Sequence, residues 1–144
     1  MKETFTDPKA IAADPLILKT FEDYAQAFET LTPSTVLPFY QYPAILIAEQ
    51  KPVTINKITG WAAFKIIMMP LKWRGYDHSV TGPLAVKQLR DDLAIVTGTV
   101  IRYKKDDSEL ERFDLNYTLR KVKNDWKIII GSLITITKKS ASIS

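Results

Sequence analysis

The chain has 144 residues, 46% of them hydrophobic, with 20 Lys and Arg against 16 Asp and Glu and no Cys. That length supports one domain with a sizeable core, and the lack of Cys excludes disulfides, thiolate metal sites and cysteine nucleophiles while suiting a reducing cytoplasm. The net charge of +4 is small, and bases alternate with acids in Lys104-Lys105-Asp106-Asp107 and Glu111-Arg112, so those residues read as solvated surface and neither a nucleic-acid nor a membrane footprint is expected.

Residues 1–13 carry little periodicity and no apolar stretch of the kind a secretory leader needs, so they read as an N-terminal arm of a soluble, cytoplasmic protein. Asp14-Pro15 is a helix cap followed by a helix-compatible first residue. Ile17, Phe21, Tyr24, Phe28 and Leu31 then recur at helical spacing, with Lys19, Glu22, Asp23, Gln26 and Glu29 as the wet back. Thr32-Pro33 repeats the device for a short helix running to about Tyr40, with Val36, Leu37 and Tyr40 turned inward. Pro43 stops it, and Ala44 to Ala48 is a buried strand ending at the polar Glu49-Gln50-Lys51. Asn56 is the expected cap of a third helix whose inward stripe is Trp61, Phe64, Met68 and Leu71, with Pro70 kinking or ending its regular part and Gly75 as its stop.

After Gly75 the period changes to two. Four runs follow, at about 77–89, 93–103, 109–122 and 126–137, joined by Arg90-Asp91-Asp92, Lys105-Asp106-Asp107 and Asn124-Asp125. Links this short join only antiparallel neighbours, so the second half is a meander. Gly82-Pro83 marks a bulge or bend in the first run, and Phe113, Leu115, Tyr117 and Leu119 mark the packed face of the third. Residues 138–144 form a C-terminal tail.

This order of elements, with Phe21-x-x-Tyr24 on the first helix and Leu37-x-Phe39-Tyr40 leading into Ala44-Ile45-Leu46-Ile47, resembles the nuclear transport factor two-like superfamily, which includes ketosteroid isomerases and SnoaL-like polyketide cyclases. The resemblance covers about Asp14 to Thr137 as a single domain. It implies an α+β cone of the cystatin-like kind, with three N-terminal helices on a strongly curved, mainly antiparallel sheet. A cavity for a small molecule and a homodimer are also implied. Fold alone cannot name an activity. In the isomerase pattern Tyr24 fits the tyrosine of the first helix, whereas Ala48 stands where a carboxylate base belongs and Glu49, one step on, points the other way. Asp114 or Asn116 corresponds to the second oxyanion donor.

The residues leave several roles open. His78 is the sole histidine, so two-histidine metal sites and histidine-based serine triads are not expected; it is either a general base or an ordinary boundary residue, and lacking a recognisable partner the second reading is preferred. Tyr24 and Tyr40 are either hydrogen-bond donors to a ligand carbonyl or core aromatics. Arg102, on the strand side of Val96, Gly98 and Val100, either faces the cavity, pairing with Asp114 or an anionic ligand, or lies at a strand edge or dimer surface. No metal and no cofactor are expected. The leading expectation is a small-molecule cavity lined by Tyr24, Phe28, Tyr40, Trp61, Phe64, Met68 and Tyr117, with any catalysis resting on Tyr24, His78 or Asp114. The competing expectation is an interaction module that uses the outer sheet to dimerise or hold a partner.

Overall fold

The computed structural model describes residues 12–48 and 51–136. The N-terminal arm up to residue 11, Glu49 and the C-terminal tail lie outside the described residues.

The first helix, α1, spans Pro15–Phe28, with Asp14 accepting a hydrogen bond from the Leu16 amide at 3.0 Å. Its stripe buries Ile17, Phe21 and Tyr24. The Pro33 helix, α2, is a single turn over Pro33–Val36, continued by a tight 3₁₀ turn over Leu37–Phe39. Strand β1 covers Tyr40–Ala48. It therefore begins before Pro43, which the chain accommodates through a cis Tyr42–Pro43 bond. A strand absent from the sequence reading, β2, follows at Lys51–Ile55 and pairs antiparallel with β1.

Helix α3 spans Gly60–Trp73, so its N-cap position falls on Thr59 rather than Asn56, and the Thr59 side chain makes no capping hydrogen bond. Its buried stripe is Gly60, Phe64, Met68 and Leu71. Gly60 lets the start of α3 pack closely there, since an added Cβ would lie 2.9 Å from the Leu37 side chain and 3.3 Å from that of Ile55. Trp61 is rotated one helical step from that stripe and is half exposed, which corrects its expected place inside. Pro70 is accommodated within α3, and Gly75, at φ +84°, supplies the left-handed residue after its last turn.

The first β run divides at Gly82-Pro83-Leu84 into β3, Tyr76–Thr81, and β4, Ala85–Arg90. Both pair antiparallel with successive parts of β5, Leu93–Lys104, so the break is a bend within one sheet arm. Strands β6, Glu109–Val122, and β7, Asp125–Thr135, complete the meander. The order across the seven-stranded sheet is β2-β1-β7-β6-β5-β3, with β4 also on β5; β1 and β7 are parallel and every other pair is antiparallel. The fold is the expected α+β cone: helices on the concave side of a strongly curved, mainly antiparallel sheet. The core joins Ile17 and Phe21 of α1 and Phe64 and Met68 of α3 to Val96, Leu119 and Ile128 of the sheet. Among the described residues no helix is long and apolar enough to cross a membrane.

Candidate functional site

Period-two alternation brings Val96, Gly98, Val100 and Arg102 of β5 to the same side of the sheet as Leu115 and Tyr117 of β6, in the register Val96 to Tyr117, Val100 to Phe113 and Arg102 to Glu111. Across from them α1 presents Phe21, Tyr24, Ala25 and Phe28. Between the two layers lies a cavity of about 50 Å³, closed at its sides by Ser79, Thr81 and Leu133. It holds a few waters or the end of a small molecule. Ala25, Ser79 and Thr81 also line a wider cleft of about 590 Å³, between Leu18, Glu22 and Glu29 of α1 and the Gly82-Pro83-Leu84 corner. The cone thus has a narrow inner chamber opening into a broad mouth.

Arg102 is the buried charge of this chamber. Its Nη1 donates to Glu111 Oε2 at 3.1 Å, with both side chains about 10% exposed. The guanidinium lies 4.5 Å from the ring centre of Phe113 and 5.2 Å from that of Phe28, with Tyr76 at 6.0 Å. A planar cation suits such a cage because its faces meet the ring quadrupoles while its edge keeps N–H donors. Glu111 also accepts from Arg74 Nη1 at 2.7 Å, so this carboxylate ties α3 to the sheet. The solvated-surface reading of Glu111 is therefore corrected. Glu29 likewise leaves its assigned wet back, its Oε2 accepting the Ser79 amide at 2.7 Å and tying the end of α1 to β3.

Three tyrosines meet behind the chamber. The Tyr24 and Tyr40 hydroxyls are 2.6 Å apart, and the Tyr117 ring packs beside Tyr24 with ring centroids 5.7 Å apart. Burial pushes all three well above the ordinary tyrosine value of 10.0, because ionised phenolate is poorly solvated there. The neighbouring Arg102 charge opposes this at Tyr24 and Tyr117 without reversing it. They are hydrogen-bond donors and acceptors that stay protonated, not bases.

Of the residues singled out in the sequence, Tyr24, Phe28, Arg102 and Tyr117 line the chamber together. The others are elsewhere. Tyr40 is fully buried one layer behind, its ring 5.2 Å from that of Phe64. Phe64 and Met68 are packed core, and Trp61 lies outside with Lys65 over its ring. His78 is on the outer side of β3, where a register irregularity between Tyr76 and His78 turns Tyr76 and Ser79 inward and the imidazole outward. There it stacks on Tyr103 at 5.3 Å and contacts Asp77 at 2.9 Å. Asp114 is exposed on the convex face and accepts from Thr99 at 3.0 Å. The pleat separates it from Arg102, whose carboxylate partner is Glu111 instead. Ala48 shares the concave side with Leu46, in register with Leu133, and brings only a methyl group. Glu111 and Glu29 were missed because their roles depend on partners far away in sequence. The acid at the position opposite Arg102 across the β5–β6 hairpin was the available signal for the first.

Among the described residues no group of three His, Cys, Asp or Glu side chains is arranged to hold a metal ion.

The architecture has solved counterparts. A protein of unknown function with a cystatin-like fold from Nostoc punctiforme superposes with a TM-score of 0.70 at 10% identity, over 85% of this chain and 90% of that one. A putative calcium/calmodulin dependent protein kinase II association domain from Xanthomonas campestris gives 0.67 at 17%, over 95% and 99%. A ketosteroid isomerase-like protein from Erwinia carotovora atroseptica gives 0.66 at 15%, over 85% and 95%. At these identities the likeness is one of fold. No curated protein matches the sequence. A family model described as "NTF2-like protein (DUF6841)" matches residues 13–133, and the chain belongs to that NTF2-like family.

Proposed function

We propose that the cone binds a small, largely apolar molecule whose carbonyl or carboxylate end enters the inner chamber while the remainder extends into the mouth. The observation that carries this reading is Arg102, a buried guanidinium lining an apolar chamber and bonded to a protein carboxylate at Nη1. Its fork, beside the Tyr24 and Tyr117 rings, supplies N–H donors suited to an oxygen anion or a polarised carbonyl. Phe21, Phe28, Leu115 and Leu133 supply the apolar walls. In a cofactor-free reaction these groups would stabilise an oxyanion. Proton abstraction by the isomerase pattern has no support, since Ala48 has no acid and His78 and Asp114 face away. Calorimetric titration with short-chain carboxylates, and with ketones of matched size, tests the reading. Saturable binding that Arg102→Met weakens for carboxylates more than for ketones is expected; no saturable binding of either class, or equal affinities in the variant, overturns it.

A second reading rests on the convex sheet face, where Ile45 and Ile130 are in register and, with Ile134 and Val80, are exposed. Such a face supports a homodimer of a cytoplasmic protein. Sedimentation velocity of the wild type and Ile130→Asp separates the two states.

A further inference from the structure

Helix α3 is apolar on more of its circumference than the core uses. Opposite the buried stripe of Gly60, Phe64, Met68 and Leu71, the side chains of Ala62, Ile66, Met69 and Trp73 follow one another at steps of four, three and four. Ile66 is 73% exposed and Trp73 76%, while Trp61 beside them is 51% exposed and Ile58, just before the helix, 93%. Single exposed apolar residues are ordinary, but an aligned apolar row ending in an indole, with a second exposed indole on its flank, is not.

The segment that carries this row is charged with one sign. From Lys51 to Tyr76 there is no Asp or Glu, while Lys51, Lys57, Lys65, Lys72 and Arg74 occur. These five cations exceed the net charge of the whole chain, +4, so the excess that looks dispersed along the sequence is concentrated here. Arg74 is committed to Glu111. Lys57, Lys65 and Lys72 form no ion pair among the described residues, and Lys65 lies 5.0 Å over the Trp61 ring. Lys65 and Lys72 are seven residues apart and flank the apolar row on one side.

The geometry points to an anionic lipid surface as the occupant of this face, with α3 lying in the plane of the interface. Indole rings settle at the boundary between headgroups and acyl chains, aliphatic side chains enter beside them, and lysines reach to lipid phosphates. A 14-residue helix is about 21 Å long, too short to span a bilayer but suited to lying along it. The complementary charge is negative along the whole helix, which an anionic leaflet supplies uniformly. This departs from the absence of membrane contact expected from composition, because composition averages over a surface that the fold divides into regions.

Vesicle co-sedimentation of the full chain tests this, using phosphatidylcholine vesicles with and without phosphatidylglycerol. Binding to the phosphatidylglycerol vesicles alone is expected, reduced by added salt and accompanied by a blue shift of tryptophan emission from Trp61 and Trp73, since Trp126 is already buried. Lys65→Glu with Lys72→Glu should weaken partitioning about tenfold or more. Ile66→Asp with Trp73→Asp should abolish it, and both variants should keep the wild-type circular dichroism. The proposal is overturned if the wild type stays in the supernatant with both vesicle types at low salt, or if the lysine variant binds as the wild type does. A concentration-dependent dimer that Ile66→Asp with Trp73→Asp converts to monomer also overturns it, since a second copy would then cover the face.

Discussion

The Tyr24 hydroxyl on α1 lies 2.6 Å from the Tyr40 hydroxyl at the start of β1, with both side chains buried. Because each satisfies the other in a dry setting, removing one leaves a polar group under-bonded, whereas removing both restores a consistent apolar contact. Tyr40→Phe should cost about 1–2 kcal/mol of unfolding free energy. The double change of Tyr24 and Tyr40 to Phe should cost less than the sum of the single changes. Urea unfolding of the four proteins measures the coupling, and strict additivity would show that the bond contributes nothing net.

Alkaline pH should act on the same cluster. Tyr24, Tyr40 and Tyr117 have folded values raised well above 10.0 by burial, so above the unfolded value the unfolded chain loses protons that the folded chain keeps. Their contribution is fully present below about pH 10 and declines as pH rises beyond it. Phenolate absorbance should accordingly show these three of the six tyrosines ionising only together with unfolding. Smooth titration of all six in the folded protein would contradict this.

Arg102 and Glu111 should respond unequally to substitution. Glu111→Gln removes the carboxylate from two arginines at once, leaving Arg102 charged among aromatic rings, whereas Arg102→Met leaves Glu111 its bond to Arg74. The glutamate change should cost about 3 kcal/mol and the arginine change about half of that. Denaturant midpoints of the two variants decide the order, and a larger loss for Arg102→Met would reverse the assignment of Glu111 as the shared anchor.

Asp14 links the first turn of α1 to the end of the sheet. Its carboxylate accepts the Leu16 amide and the Trp126 indole N–H, each at 3.0 Å, with Lys121 at 3.9 Å. The Leu16 bond first, then Trp126, holds its pKa below 3.8. The folded value being depressed, the stabilisation exists above the unfolded value and is lost as pH falls through the folded one. The stability gap between wild type and Asp14→Asn should therefore be present near neutrality and shrink as pH falls below 3.8. An equal gap at both pH values would assign the effect to shape rather than charge.

What the sequence determined by itself was whatever repeats locally. The i, i+3, i+4 pattern identified the buried side of α1, the alternation from Phe113 to Leu119 identified the concave side of β6, and Gly75 and the Asp-rich turns marked where elements end. Through Tyr24, Phe28 and Tyr117 part of the chamber was legible as well, since a side chain on an inward face is known to be inward before its neighbours are known. The tertiary structure alone decided who meets whom. Arg102 finds Glu111 and not Asp114 because strand register and the pleat put Glu111 across from it and Asp114 on the other side of the sheet. His78 faces out because of one irregularity in β3. Trp61 faces out because α3 starts at Gly60, against Leu37 and Ile55. Periodicity records the side of an element that avoids water, a local property. Pairings across a sheet or between layers depend on register shifts and helix starts set by packing of segments distant in sequence.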